Sequence, residues 1–370
     1  MEVTHPSPDR VVPPCAYFTD CGGCQLQHWH PEPYLQWKRQ LILKQLEKQA
    51  PSLLRDVEIE TIPLLSAPRR RVSFAVMRNI EGIKFGFHKY NSHDIVDIEQ
   101  CFISASGINE ALPALRSFLG GLVPSGKKIS CLVTLADNGL DINVTADWQL
   151  NEKQRLSISQ RALPPGLIRF TWQKSHEGHE PLILIEQPKL ELDDILVELP
   201  PGSFLQPSLD GEREMRRLVS DAVKKAKQIA DLYSGIGTFA LPLARAHKIY
   251  AADITRDSIE ALQKAARRSE LHGKIRAERR DLHRSPLSLE ELEDFDAVIF
   301  DPPRAGSLLQ CQLLARSRVA KIIAISCFPA SFAKDAQALE KGGYRLQRLV
   351  LIDQFRHSHH VEIFASFYKH

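Results

Sequence analysis

Hydrophobic and polar positions alternate differently along three stretches of the chain. In the first 60 residues, PYLQWKRQLILKQLEKQ has helix-like spacing and predicts a helix. From about residue 61 to 200, short β-rich runs are separated by turn residues: RRRVSFAVMR, IKFGFHKY, HDIVDIE, KISCLVTLA, LDINVTA, LIRFTWQ and LILIEQ. That pattern predicts a mostly antiparallel α+β region. A turn-rich break, ELPPGSFLQPS, comes next, and from about residue 208 strands alternate with helices. The predicted strands are QIADLYS, KIYAADI, IRAERRD, DAVIFDPP, AKIIAISC, YRLQRLVLID and VEIFASFY, with helical spacers such as RDSIEALQKAARRSELH. Alternation of this kind predicts an α/β unit with a mostly parallel, seven-stranded, Rossmann-like sheet covered on both faces. Only QFRHSHH separates the last two strands. That is too short for a parallel crossover, so the final strand is expected to run antiparallel.

The regions are therefore a cysteine segment with a helix over 1–60, a central α+β region over 61–200 and the α/β unit over 201–370. Apolar residues make up 43% of the 370 and charged residues 25%, as is ordinary for a soluble globular protein. No run of about 18 apolar residues is present, so no membrane span is expected. MEVTHPSPDR lacks the basic and apolar start of an export signal, and a cytoplasmic, monomeric protein with reduced thiols is the expectation. A net charge of +3 permits a nucleic-acid partner without arguing for one. Cys15, Cys21 and Cys24 crowd the N-terminus, whereas Cys101, Cys131, Cys311 and Cys327 are scattered.

Ligands of open α/β sheets bind beyond the carboxyl ends of the strands. Those ends hold Asp231-Leu232-Tyr233-Ser234-Gly235-Ile236-Gly237-Thr238, Asp253, Asp281, Asp301-Pro302-Pro303-Arg304 and Cys327. The Gly235-x-Gly237 turn lets the backbone approach a ligand, although it lacks the third glycine of the dinucleotide fingerprint. Asp253 falls about 20 residues after the first strand end, where a ribose-binding acid is expected; a helix cap is its other reading. No Walker-type lysine follows, so a nucleoside without a phosphate tail fits better, and S-adenosylmethionine is one. Asp281 is then a candidate for the adenine edge. Two prolines after Asp301 fix the chain's exit from the sheet and present that acid to the cleft.

DLYSGIGTFALPLA, FDPPRAG, ISCFPASFAKD and HVEIFASF resemble, in order, the motifs of RNA uracil-C5 methyltransferases, and CAYFTDCGGCQLQHW resembles the iron–sulfur segment of the branch that modifies 23S ribosomal RNA. The resemblance implies a class I methyltransferase domain, S-adenosylmethionine, an RNA substrate and 5-methyluridine as product. The short form without an N-terminal β-barrel RNA-binding domain is implied too. It further implies that Gln206, Tyr233 and Thr238 contact the cofactor, along with Asp253, Asp281 and Asp301. Phe328 stands where the family has Asn, Thr238 replaces another Asn, and Ser208 replaces the Asn of Phe-x-Gln-x-Asn.

Uracil C5 becomes nucleophilic once a thiolate adds to C6, and a base must later remove the C5 proton. Cys327 is the expected nucleophile, and the helix predicted near Pro329 points its positive end at the thiol. Glu362 is the expected base, because an antiparallel last strand begins at the edge where the parallel strands end. Cys15, Cys21, Cys24 and Cys101 suit either zinc or a [4Fe–4S] cluster by number, and the resemblance implies the cluster. Arg69-Arg70-Arg71 reads as a phosphate contact, and Trp29, Trp37, Phe85, Phe87 and Tyr90 as base-stacking or core residues. Rival readings are an amino-methyltransferase, against which Arg304 and Cys327 speak, a transfer-RNA uracil methyltransferase, and a non-catalytic iron–sulfur RNA-binding protein.

Overall fold

The computed structural model describes residues 4–55, 57–64 and 66–369. Helix α1 (Pro31–Gln49) starts on a proline, whose missing N–H costs nothing in the first turn, and buries Tyr34, Lys38, Ile42 and Leu46 along one stripe. Strand β1 (Glu58–Ile62) follows.

The central region forms a seven-stranded sheet from β2 (Arg71–Asn79), β3 (Gly82–His88), β4 (Ile95–Asp97), β5 (Lys128–Ala136), β6 (Gly139–Ala146), β7 (Leu167–Lys174) and β8 (His179–Leu184). Their spatial order is β4-β3-β2-β5-β6-β7-β8, antiparallel except between β6 and β7. Helices α2 (Ser106–Gly120) and α3 (Glu152–Ser159) belong to this region, whose core includes Phe74, Phe85, Phe118, Phe170 and Trp172. A hairpin of β9 (Lys189–Leu192) and β10 (Ile195–Glu198) then leads to helix α4 (Leu209–Val223).

The remaining chain alternates β11 (Gln228–Leu232), α5 (Ala240–Leu243), β12 (Lys248–Asp253), α6 (Arg256–Arg268), β13 (Ile275–Arg279), α7 (Leu289–Leu292), β14 (Ala297–Phe300), α8 (Leu308–Arg316), β15 (Lys321–Ser326), α9 (Pro329–Lys341), β16 (Arg345–Ile352) and β17 (Glu362–Tyr368). Their apolar runs are buried on both faces: Ile229, Ile299, Ile323 and Phe364 enter one core, whereas Ala230, Val298, Ile322 and Ile363 enter the other. The sheet has eight strands, not the seven expected, in the order β1-β16-β17-β15-β14-β11-β12-β13. The extra strand is β1, which pairs in parallel with β16 and covers an edge that would otherwise be open. The last strand β17 runs antiparallel, as expected, inserted between β15 and β16. No described helix is long and apolar enough to cross a membrane.

Candidate active site

Beyond β11 the backbone turns through left-handed conformations at Tyr233 (φ 62°), Gly235 (φ 53°) and Gly237 (φ 93°). The two glycines do different things. A Cβ at Gly235 would meet nothing within 4 Å, whereas one at Gly237 would strike Leu262 and Leu241 at about 3 Å. Gly235 therefore opens toward free space, and Gly237 lets the turn pack on helix α6. Asp253 Oδ2 accepts a hydrogen bond from the Gly235 N–H at 3.0 Å, and its Oδ1 accepts from the Thr255 N–H at 2.7 Å. The carboxylate thus ties the turn to the end of β12.

Asp231, only 1% exposed, accepts from the Ala240 N–H at 3.0 Å through Oδ2, while its Oδ1 has no partner. Burial pushes this carboxyl up to about 8, and neighbouring Asp301 and Asp253 add to the shift. The Ser234 hydroxyl is also buried without a partner. Unpaired buried polar atoms beside an open glycine turn are what a polar ligand would satisfy. Tyr233 Oη lies 3.0 Å from Ser307 Oγ, and its ring centroid 5.6 Å from that of His283. Asp281 accepts from the backbone N–H groups of His283 (3.1 Å) and Arg284 (3.3 Å) in its own turn. Thr238 is half-buried in the glycine turn.

A second group lies over the ends of β14, β15 and β16. Gln206 Nε2 donates to Asp301 Oδ2 at 3.1 Å, and Gln354 Nε2 reaches both Gln206 Oε1 at 3.1 Å and Glu362 Oε2 at 2.6 Å. Glu362 is 3% exposed. Burial raises both carboxyls, Asp301 to about 7 and Glu362 well above the usual carboxylate range, and Asp301 adds to the Glu362 shift. Ser326 pairs with Ile363, so Cys327 leaves β15 beside the residue that opens β17. The half-buried Cys327 thiol is pushed up to about 11 by burial, then by Glu362 and Asp301, with Arg304 opposing. Helix α9 does begin at Pro329, but desolvation and two carboxylates outweigh the thiolate stabilisation expected from its positive end. Phe328 is 42% exposed next to the thiol.

The four remaining expected ligands meet elsewhere. Cys15, Cys21, Cys24 and Cys101 all line one cavity of about 290 Å³, together with Gly23, Gln27, Arg69 and Arg71. Gln27 Oε1 accepts from the Cys15 N–H at 3.2 Å, and Asn109 on α2 clamps the Cys101 backbone through bonds of 2.8 and 3.1 Å. Among the described residues no group of three or more His, Cys, Asp or Glu side chains is placed to hold a metal ion; of the expected cluster site the structure shows the four cysteines lining one cavity. The cysteine segment also grips the loop before β17: the Gln25 and Leu26 N–H groups donate to the His357 carbonyl at 2.8 and 3.0 Å. Lys38 Nζ and Tyr34 Oη both donate to Asp353 Oδ1, at 2.5 and 3.1 Å. Cys131 and Cys311 are buried core residues.

Arg70 does not serve as the phosphate contact expected of the arginine run. It is buried in an ion pair with Glu212, and its Nε donates to the Gln206 carbonyl at 3.1 Å. Arg69 stacks over Phe355 at 5.9 Å and Arg71 over exposed Phe204 at 5.6 Å. Ser208 is a buried helix cap, accepting from the Gly211 N–H at 3.1 Å. Phe85 is core, the Trp29 and Trp37 rings pack 5.6 Å apart, and Tyr90 is 65% exposed. Sequence reasoning missed Gln354. The rule that singled out Asp253 and Asp301 also points to the end of β16, where Asp353 and Gln354 follow directly.

A mostly parallel sheet with a glycine turn after its first central strand, and acids at the ends of the next strands, defines the class I methyltransferase architecture. The chain belongs to the tRNA (uracil-5-)-methyltransferase family, which matches residues 184–368, and it is an RNA methyltransferase. An RNA methyltransferase of Brucella suis, itself described as uncharacterized, is 38% identical over 99% of this chain and 86% of its own length. The 23S rRNA (uracil(1939)-C(5))-methyltransferase RlmD of Dichelobacter nodosus is 30% identical over 98% of this chain and 85% of that protein. The structure of Pyrococcus abyssi tRNA (uracil-54, C5)-methyltransferase, in complex with S-adenosyl-L-homocysteine, shares the fold with a TM-score of 0.73 at 24% identity. That match covers 99% of this chain and 88% of that one.

Proposed function

We propose that this protein methylates uracil C5 in RNA, using Cys327 as nucleophile and Glu362 as base, with 23S ribosomal RNA as the substrate. The observation that carries the reading is the antiparallel pairing of β15 with β17, in which Ser326 opposes Ile363, so that thiol and carboxylate share one sheet edge. The open Gly235 turn and the unpartnered Asp231 Oδ1 and Ser234 Oγ support a nucleoside cofactor between β11 and β12. S-adenosylmethionine, when bound there, supplies an electrophilic methyl group for C5.

Cys327 must lose its proton as it attacks. Asp301, raised by burial to about 7, is the neighbouring group that accepts it, which leaves Glu362 for the later step. The Sγ–C6 bond makes C5 an enolate carbon. Once C5 carries the methyl group, Glu362 takes the C5 proton, the C5–H pair forms the C5=C6 bond, and the C6–S pair returns to sulfur as the thiolate leaves.

Arg71, exposed Phe204 and exposed Phe328 support an RNA path toward this edge. An open groove of about 690 Å³ on the central sheet, lined by Lys127, Lys128, Ser73, Ser130 and Thr145, supports a backbone contact in the central region. The shared cavity of the four cysteines supports a [4Fe–4S] cluster that ties the N-terminal segment to the central region. The likeness to a 23S rRNA enzyme favours ribosomal RNA, whereas the family description keeps transfer RNA as the second reading. Incubation with S-adenosylmethionine and RNA containing 5-fluorouridine tests the chemistry, because fluorine cannot leave as a proton. A denaturation-stable protein–RNA adduct that requires Cys327 is expected; its absence with both ribosomal and transfer RNA overturns the reading.

A further inference from the structure

Hydrogen bonds run from one buried carboxylate of the site to the other through a residue with no role so far. Gln354 is 1% exposed and lies two residues beyond the end of β16. Its Nε2 has acceptors on two sides, Glu362 Oε2 at 2.6 Å and Gln206 Oε1 at 3.1 Å. Two acceptors around one atom fix the amide nitrogen there, and both of its hydrogens are then used. The polarity carries onward: because Gln206 accepts through Oε1, its own nitrogen faces Asp301 Oδ2 at 3.1 Å. Glu362 is thus gripped at Oε2, while Oε1 has no hydrogen-bond partner among the described residues.

The surroundings hold Gln354 in this pose. A Cβ at Gly211 would stand 2.7 Å from Gln354 Oε1 and 3.0 Å from its Cβ. Gly211 lies in helix α4 without a left-handed φ, so glycine is needed there for space rather than for backbone freedom. On the chain side, Asp353 is locked by Lys38 and Tyr34.

We propose that Gln354 is a positioning residue that aims Glu362 Oε1 at the C5 proton, so that it governs release of the methylated base rather than attack upon it. The inference rests on Glu362 acting as the base. The Gln354 hydrogen bond opposes the burial that keeps Glu362 protonated and selects a single carboxyl orientation, and a general base works only from that geometry. Without the bond, the step that returns the C5–H electrons to the ring slows, and the Cys327–C6 bond persists.

The test is single-turnover reaction with S-adenosylmethionine, quenched into denaturant, following the covalent adduct on gels. On uridine RNA, Gln354→Met, which keeps the side-chain length and removes both donors, is expected to slow adduct decay at least tenfold more than adduct formation. Formation is read separately on 5-fluorouridine RNA, where decay is blocked. Decay slowed no more than formation overturns the inference. If wild-type protein forms no adduct with 5-fluorouridine RNA, the uracil-methylation reading itself fails; if it does and Gln354→Met decays normally, only the role of Gln354 falls. Should that variant not fold, Gly211→Ala, which crowds the same amide without deleting it, is expected to give the same split at smaller size. Wild-type decay in a folded Gly211→Ala protein is then the overturning result.

Discussion

Cys327 and the N-terminal cysteines are chemically the same group with different neighbours, although burial pushes Cys327 and Cys24 alike up to about 11 and raises Cys21 as well. Cys327 stands alone at a strand end facing two buried carboxylates, which oppose its ionisation. The cavity shared by Cys15, Cys21, Cys24 and Cys101 contains no carboxylate and is flanked by Arg69 and Arg71. Around Cys24 the Arg69 charge opposes the rise, but burial outweighs it, so a bound cluster rather than the cavity would have to ionise these thiols. Under the proposed function, neighbours divide the two roles.

The strongest test of that division is deletion. Cys327→Ala is expected to lower methylation roughly 10³-fold or more and to abolish the 5-fluorouridine adduct, because no other thiol sits at that edge. Cys24→Ala, by contrast, should still form the adduct; if it fails to do so while folded, the two sites are not separable. Next in size is the link between them. Lys38→Met leaves the buried Asp353 carboxylate without its cation, held by the Tyr34 hydroxyl alone, and chemical denaturation should show a loss of about 3 kcal/mol.

The electrostatic contrast has its own readout. With its pKa pushed up to about 11, Cys327 in the ligand-free protein should be alkylated at pH 7 roughly a hundredfold more slowly than an ordinary thiol of pKa about 8.5. The sign follows from the raised value: less thiolate is present at any pH below 11, and reactivity should keep climbing above pH 9, where an ordinary thiol levels off. A plateau near pH 8 contradicts the burial, and the carboxylates beside it, that raise the thiol. On the cluster side, Cys21→Ser is expected to lose the brown colour and iron of anaerobically purified protein; stoichiometric zinc without iron in the wild type contradicts the cluster. The smallest effect concerns RNA: Lys128→Ala should reduce the salt slope of binding by about 1 and leave adduct chemistry intact.

Much of the architecture was legible because it depends on local pattern. Apolar runs such as AVIF and KIIAIS, alternating with helical spacers, read as strands covered on both faces, and QFRHSHH is too short to allow a parallel crossover. The strand-end rule led directly to Asp253, Asp301 and Cys327. It stopped one strand early, which is why Gln354 was not found. Strand β1 was not legible either: EIETI has no distinctive run, and its place is set by the open edge of β16. The arginine run misled because a sequence shows three adjacent cations but not that Arg70 turns inward to Glu212.

By itself, then, the sequence determined the order of strands and helices, the antiparallel return of the last strand and the residue types available for a thiol-and-base reaction. These follow from periodicity, turn lengths and chemical identity, all of which are local. Only the tertiary structure decided which of those groups share protons, that Asp301, Gln206, Gln354 and Glu362 form one hydrogen-bonded line, and that burial holds Cys327 neutral. Those properties depend on distance and desolvation between segments far apart in the chain, and no local pattern encodes either.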